Sequence, residues 1–274
     1  MDVNRLIEIF NKFLEATFKT ARERKLTSYY REMRKGVAEA FREQGKIVMA
    51  EMPSLKKHFG EANVPGGDDI DRILEQAFAA TLEILSAPIN KGIRDSLEAG
   101  GLESVTSFGL ELSFNLDHPA ATEYLNKHGA EMVSQINETT RSTIKKIVTD
   151  GIAQGKSYDN MAEEIQERFE TFAEGRPQHH IDSRAHHVAI TETGNAFEHG
   201  NNLGAQQLKE MGVQMEKKWV TVGDNKVSDG CATNEAEGWI DIDANHNSGD
   251  QHPLRFPGCR CHEQYRRKPQ DAEE

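Results

Sequence analysis

Apolar residues recur at three- and four-residue steps from the start of the chain. Leu6, Phe10, Phe13, Leu14 and Phe18, with Asn11, Lys12, Glu15 and Lys19 between them, mark an amphipathic helix whose stripe has to be covered by something. Tyr30, Met33, Val37 and Phe41 repeat the spacing and predict a second helix rich in Arg and Lys. Pro53 and the loop ending in Pro65-Gly66-Gly67 break the chain before a third helix, N-capped by Asp68 or Asp69. The stripe of that helix is Ile70, Ile73, Leu74, Ala77, Phe78 and Leu82. Pro88 is expected to kink or end it before the Gly100-Gly101 pair, and a domain boundary is placed after that pair, at about residue 110.

Leu110 to Leu116 reads equally as a short strand or an extended link, and Asn115 to Pro119 as a turn. Helical spacing returns from Pro119 to about Asp150, with Tyr124, Leu125, Met132, Val133, Ile136, Ile144, Ile147 and Val148 inward, until Gly151 and Gly155 stop it. Ser157 caps the next helix, whose stripe is Met161, Ile165, Phe169 and Phe172. A long helix from about Ser183 to Met211 carries Ala189, Gly194, Ala196, Gly200 and Gly204. These residues cost helix propensity but let neighbouring backbones come close, which predicts a central element packed on several sides. After Gly212 the texture changes, and Lys217 to Val222 and Trp239 to Ile242 read as short strands between Gly- and Asp-rich turns.

The predicted class is therefore α+β, mostly α. A helical N-terminal region occupies 1–110. A helical core domain occupies 111–268, closed by a strand-and-loop module from about 213, and 269–274 is a disordered polar tail.

Composition refines this picture in two places. An apolar fraction of 36% against 28% charged residues, with mean hydropathy −0.68, points to helices with thin cores and a large solvated surface. The formal charge of −12 argues against sequence-independent wrapping of duplex DNA, which needs a positive surface field. The charge is polarised, however: residues 1–60 hold 13 Lys+Arg and 8 Asp+Glu, a net of +5, which leaves −17 on the rest. No run approaches the roughly 18 apolar residues of a membrane span, and the N-terminus lacks the order of a secretory signal, so folding in a cytosol is expected.

Several clusters invite a chemical reading. Gly151 to Ser157 looks superficially like a phosphate-binding loop, but the two glycines are separated by three residues where that loop needs four; a helix stop and a serine cap explain it. His179-His180 and His186-His187 cannot converge on one ion as adjacent helical residues, and read as exposed histidines near a helix start. Arg184 and Glu192 lie two turns apart on one helix face, where either an ion-pair pin or a catalytic carboxylate is open, with structure the simpler reading. The strongest cluster is Cys231, His252, Cys259 and Cys261, all on loops of the terminal module. Thiolates and imidazole suit a tetrahedral Zn²⁺ that would stiffen a region with little core; free thiols in a reducing cytosol remain the alternative. His246 and His262 are spare ligands.

From about Phe114 to Tyr265 the chain resembles the phage head morphogenesis family, the Mu F-like minor head proteins. The resemblance is carried, in order, by FNLDHPAATEYLNKHGAEMVSQINETTR, GIAQGKSYDNMAEEIQERF, SRAHHVAITETGNAFEHG, KKWVTVGDNKVSDGCATNEAEG and PGCRC. It implies that Arg184, Thr191 and Glu192 are the family's helix motif, and that the segment after Trp219 carries its Asp224 and Val227. Cys231 matches the second residue of a Cys-x-x-Cys whose first position is Ser228. Phe256 stands where members often have the histidine of His-Pro-Asn-Cys-Arg-Cys, so His252 would have to supply a fourth ligand.

The resemblance further implies a minor capsid component of a tailed phage or prophage. It would be present in few copies in the head interior or at the portal vertex, act in head morphogenesis and in DNA packaging or ejection, and be made in the host cytoplasm. Its partners would be the portal protein and the major capsid or scaffold subunits, reached through Leu6, Phe10, Phe13 and Phe18, with no membrane involved during assembly. That is binding rather than turnover. Two other readings stay open: a virion-delivered enzyme with its site at the long helix and cysteine loop, and a DNA-binding module using the basic N-terminal arm.

Overall fold

The structure is a computed structural model that describes residues 3–59, 67–108, 113–174 and 183–269; in the first two helices it leaves out the side chains of residues up to 21, of 23 and of 54–68. Among the described residues it holds seven helices and one three-stranded antiparallel sheet, the mostly helical α+β class that the pattern predicts.

Helix α1, Val3–Phe59, is 57 residues long and joins the two N-terminal helices expected from the sequence. Pro53 sits inside it rather than breaking it. Its packed face, Met33, Val37, Ala40, Phe41 and Val48, belongs to the main core. The four residues Leu6, Phe10, Phe13 and Phe18 fall on this helix, but their side chains lie outside the described residues.

Helices α2, Gly67–Ala80, and α3, Leu82–Ser107, correct the expected break. The chain bends at Thr81, not at Pro88, and α3 runs through Gly100 and Gly101 to Ser107. Thr81 turns its hydroxyl back onto Ala77 O (2.7 Å) and accepts the Gln44 side-chain amide (3.2 Å). Such back-bonding bends a helix without cutting it, and the backbone bonds Thr81 N to Ala77 O and Leu85 N to Thr81 O are both kept.

The two glycines are a contact surface rather than a stop. On α6, Arg184–Glu210, a Cβ added at Gly200 would lie 2.0 Å from Leu97 O of α3, and one added at Gly100 would lie 1.9 Å from Phe197 O. The two backbones touch along this line, and the cost in helix propensity is offset by dispersion contacts at full packing density. Core residues on both sides of position 110 therefore share one cluster, from Met33 through Ile93 and Leu97 to Ala196.

Local chemistry sets the remaining helix ends as the sequence leads one to expect. His118 and Pro119 open α4, Pro119–Ala153, after a turn in which Asn115 Oδ1 accepts the Asp117 N–H (2.9 Å). Gly155 closes it at φ +66°, a left-handed position that glycine adopts without strain, whereas Gly151, expected to stop the helix as well, stays inside it against Met161. Ser157 accepts the Asn160 N–H (3.2 Å) to cap α5, Tyr158–Glu174, and Ser183 accepts the His186 N–H (3.1 Å) to cap α6. Residues 113–115 have no regular structure, and the rest of the segment that reads as strand or link, 110–112, lies outside the described residues.

In the terminal module, strands β1, Met215–Val220, and β2, Ile240–Asp241, fall where alternation predicts them. A third strand, β3, His262–Arg267, and a short helix, α7, Asp229–Ala236, are additional. The sheet order is β2-β1-β3, and α6 packs against β1 and β3. No helix among the described residues is long and apolar enough to cross a membrane.

Candidate metal centre

Cys231, Cys259 and Cys261 come together under the buried Trp219, with Val227 and Leu254 packed against them. All three thiols are buried, and their sulfurs lie within 4.8 Å of one another, Cys231 Sγ to Cys259 Sγ being 4.0 Å. Tetrahedral ligation with bonds of about 2.3 Å puts sulfurs about 3.8 Å apart, so the spacing already suits one ion. The indole N–H of Trp219 is buried beside Cys261 and favours its thiolate form, the kind of outer-shell donor that supports metal-bound sulfur. The three thiols thus fit a metal ion.

The thiols differ in acidity. Hydrogen bonding from Cys261 holds Cys259 down to about 6, while the same bond, reinforced by burial, pushes Cys261 well above the usual thiol range. Burial also raises Cys231. Cys259 is accordingly the thiol of the three most readily ionised.

Each strand of the centre is tied down by a residue that the sequence singles out. Ser228, at the position of the family's first cysteine, accepts the Cys231 N–H (3.3 Å) and caps α7. Thr191 Oγ1 on α6 accepts the Gly258 N–H (3.0 Å), fixing the loop immediately before Cys259. Asp224 pairs with Arg260, the residue between the two C-terminal cysteines. Phe256, 41% exposed, stands at the rim, and its carbonyl accepts the Cys259 N–H (3.0 Å).

His252 does not join them: its ring packs edge-on against His199 (5.7 Å) and its Nδ1 lies 2.6 Å from Pro253 O. The loop between β2 and Cys259 carries it to the α6 side of the module. Of the spare histidines, His246 is committed elsewhere, as described below.

Arg184 and Glu192 do not meet each other. Arg184 reaches from α6 to α4, donating to Thr140 Oγ1 and Ile136 O, both at 2.9 Å. Its guanidinium lies over the rings of Phe41 (5.0 Å) and Phe172 (4.7 Å). Cation–π contacts and neutral acceptors thus join four helices at one point; burial lowers its pKa to about 10. Glu192 Oε2 lies 2.7 Å from His128 Nε2 on α4, and Tyr124 is stacked between His128 (4.7 Å) and His199 (4.1 Å).

A buried polar network escaped the sequence reading. Glu198, fully buried on α6, pairs with Arg22 of α1 and accepts the Glu263 N–H (2.9 Å). Glu263 in turn binds His246 Nε2 (2.6 Å) and accepts the Tyr265 hydroxyl (2.8 Å), and His246 Nδ1 is held by Glu237. Burial raises the Glu198 carboxyl to about 7. Nothing in local periodicity signals these partners, since Glu198 and Glu263 are 65 residues apart.

Comparison with protein families matches residues 142–263 to the model described as Phage Mu protein F like protein. Comparisons with curated proteins and with solved structures gave no match. The matched segment begins within α4, includes α5, α6 and all three cysteines, and ends at the start of β3. Over residues 142–263, a little under half of its length, the chain is thus similar to the Phage Mu protein F like family.

Proposed function

We propose that the chain is a minor head protein acting in head morphogenesis at the portal vertex, with a part in DNA packaging or ejection. The family match over residues 142–263 carries this reading. In it, the Mu F-like region and α1 form one support, because Arg22 of α1 pairs with Glu198 of α6, Tyr30 stacks on His186 of α6 and Phe41 packs on Phe172 of α5. The described packed face of α1 runs from Arg22 to Met52, and the stripe Leu6, Phe10, Phe13 and Phe18 precedes it on the same helix. At 1.5 Å per residue α1 is about 85 Å long and α6 about 40 Å, so the long helix is suited to present that stripe to portal, capsid or scaffold subunits. In the same reading the ion of the cysteine centre is zinc, which suits soft thiolates and has no redox chemistry of its own.

Burial of each of those four side chains on a partner contributes roughly 1.5–3 kcal/mol. Replacing Phe10 and Phe13 together by Asp is expected to abolish incorporation into heads while leaving the chain folded. Heads that contain the double variant at the normal level refute the docking surface.

A further inference from the structure

A cavity of about 230 Å³ lies where α1, α6 and the cysteine loop meet. Its cationic lining residues are Arg22 from α1 and Arg260 from between the two C-terminal cysteines, and among the described residues no carboxylate lines it. Leu26, Tyr30, Ile190 and Leu254 supply apolar wall. In a chain of net charge −12, the described lining thus offers two guanidinia and no acid on one concave surface.

Arg22 is the unusual member. It is only 7% exposed, and its Nε–H has no partner among the described residues. One such orphan donor costs about 1–3 kcal/mol. Its carboxylate partner, Glu198, is not among the residues that line the cavity, and neither is Asp224, the partner of Arg260. A guanidinium has five N–H donors, so each arginine keeps donors to spare after its own ion pair.

We propose that this cavity binds a small organic carboxylate: a carboxyl group held by Arg22 and Arg260, with a short apolar tail against Leu26, Ile190 and Leu254. The volume is below the roughly 300–1,000 Å³ of sites for larger ligands, which limits the tail to a few carbons. The carboxylate comes either from a free small acid or from the terminus or acidic side chain of a neighbouring polypeptide. A binding site here does not depend on the role in heads.

The test is calorimetric titration of the full chain with hexanoate, with hexanol and inorganic phosphate as matched probes lacking the charge or the tail. Hexanoate is expected to bind at least tenfold more tightly than either. Arg260→Gln is expected to weaken it at least tenfold. So is the double variant Arg22→Gln with Glu198→Gln, which removes both charges of the buried pair together and leaves neither unbalanced. A short peptide ending in leucine, titrated with a free and with an amidated C-terminus, distinguishes the sources. Binding of the free-terminus peptide alone favours a polypeptide ligand, and binding of hexanoate without the peptide favours a free acid. Equal binding of hexanoate and hexanol, an unchanged affinity in folded Arg260→Gln, or no binding of hexanoate or peptide overturns the proposal.

Discussion

Replacing Gly200 by alanine is expected to destabilise the protein by more than about 3 kcal/mol, although the same change in an exposed helix would stabilise it by about 1 kcal/mol through propensity. The sign is decided by what the new methyl group meets. Its carbon would lie 2.0 Å from Leu97 O and 3.0 Å from Gly101 N, both backbone atoms of a packed helix that cannot rotate away. The only relief is separation of α3 from α6, and with it the opening of the core around Leu97, Ala196 and Phe197. Urea unfolding of Gly200→Ala measures this directly. A midpoint equal to or above that of the parent chain would show that α3 and α6 do not touch there.

The second large effect concerns the cysteine centre. The purified chain is expected to carry one equivalent of zinc, lost in Cys231→Ser, Cys259→Ser and Cys261→Ser, and retained in His252→Ala because that ring lies away from the thiols, against His199. Binding to the folded form alone links metal to stability, and structural zinc sites are worth many kcal/mol. At about 2–4 °C per kcal/mol for a chain of this size, chelation is expected to lower the melting temperature by about 10 °C or more. Elemental analysis together with a melting curve in chelator checks both halves. Metal-free protein with three reduced thiols and an unchanged melting temperature would contradict the assignment.

The outcome for the cysteine loop illustrates what a sequence can and cannot reveal. Residue type alone marks Cys231, Cys259 and Cys261, because three thiols in a module with little core suggest a shared ligand; the structure places Cys231 in the first turn of α7 and not on a loop. The fourth ligand depends on the path of the loop from β2 to Cys259, and no local rule specifies that path. Capping residues were legible for the opposite reason: Ser157, Ser183 and Gly155 act on backbone groups within a few residues. Glycine in a helix is ambiguous from sequence. Gly100-Gly101 reads as a stop until its neighbour is known, and the neighbour is Gly200 on a helix a hundred residues away. Likewise alternation does not reveal β3, because its two buried positions are His262 and Glu263, and the latter is held by His246, 17 residues away.

The buried chain from Arg22 through Glu198 and Glu263 to His246 also bears on the domain question. Placing a boundary near residue 110 separates the family-like region from the N-terminal helices in sequence, and in space the pair Arg22–Glu198 ties the two together. In the proposed role, a displacement of α1 would be passed to the cysteine module through this packed contact.

The proposed place of the chain in a phage head can be checked on purified heads, imaged with a label fused to the chain and analysed for subunit ratio. Label is expected at a single vertex, the portal, in a few copies per particle. Label spread evenly over the shell, or heads of full composition that lack the chain altogether, would contradict it.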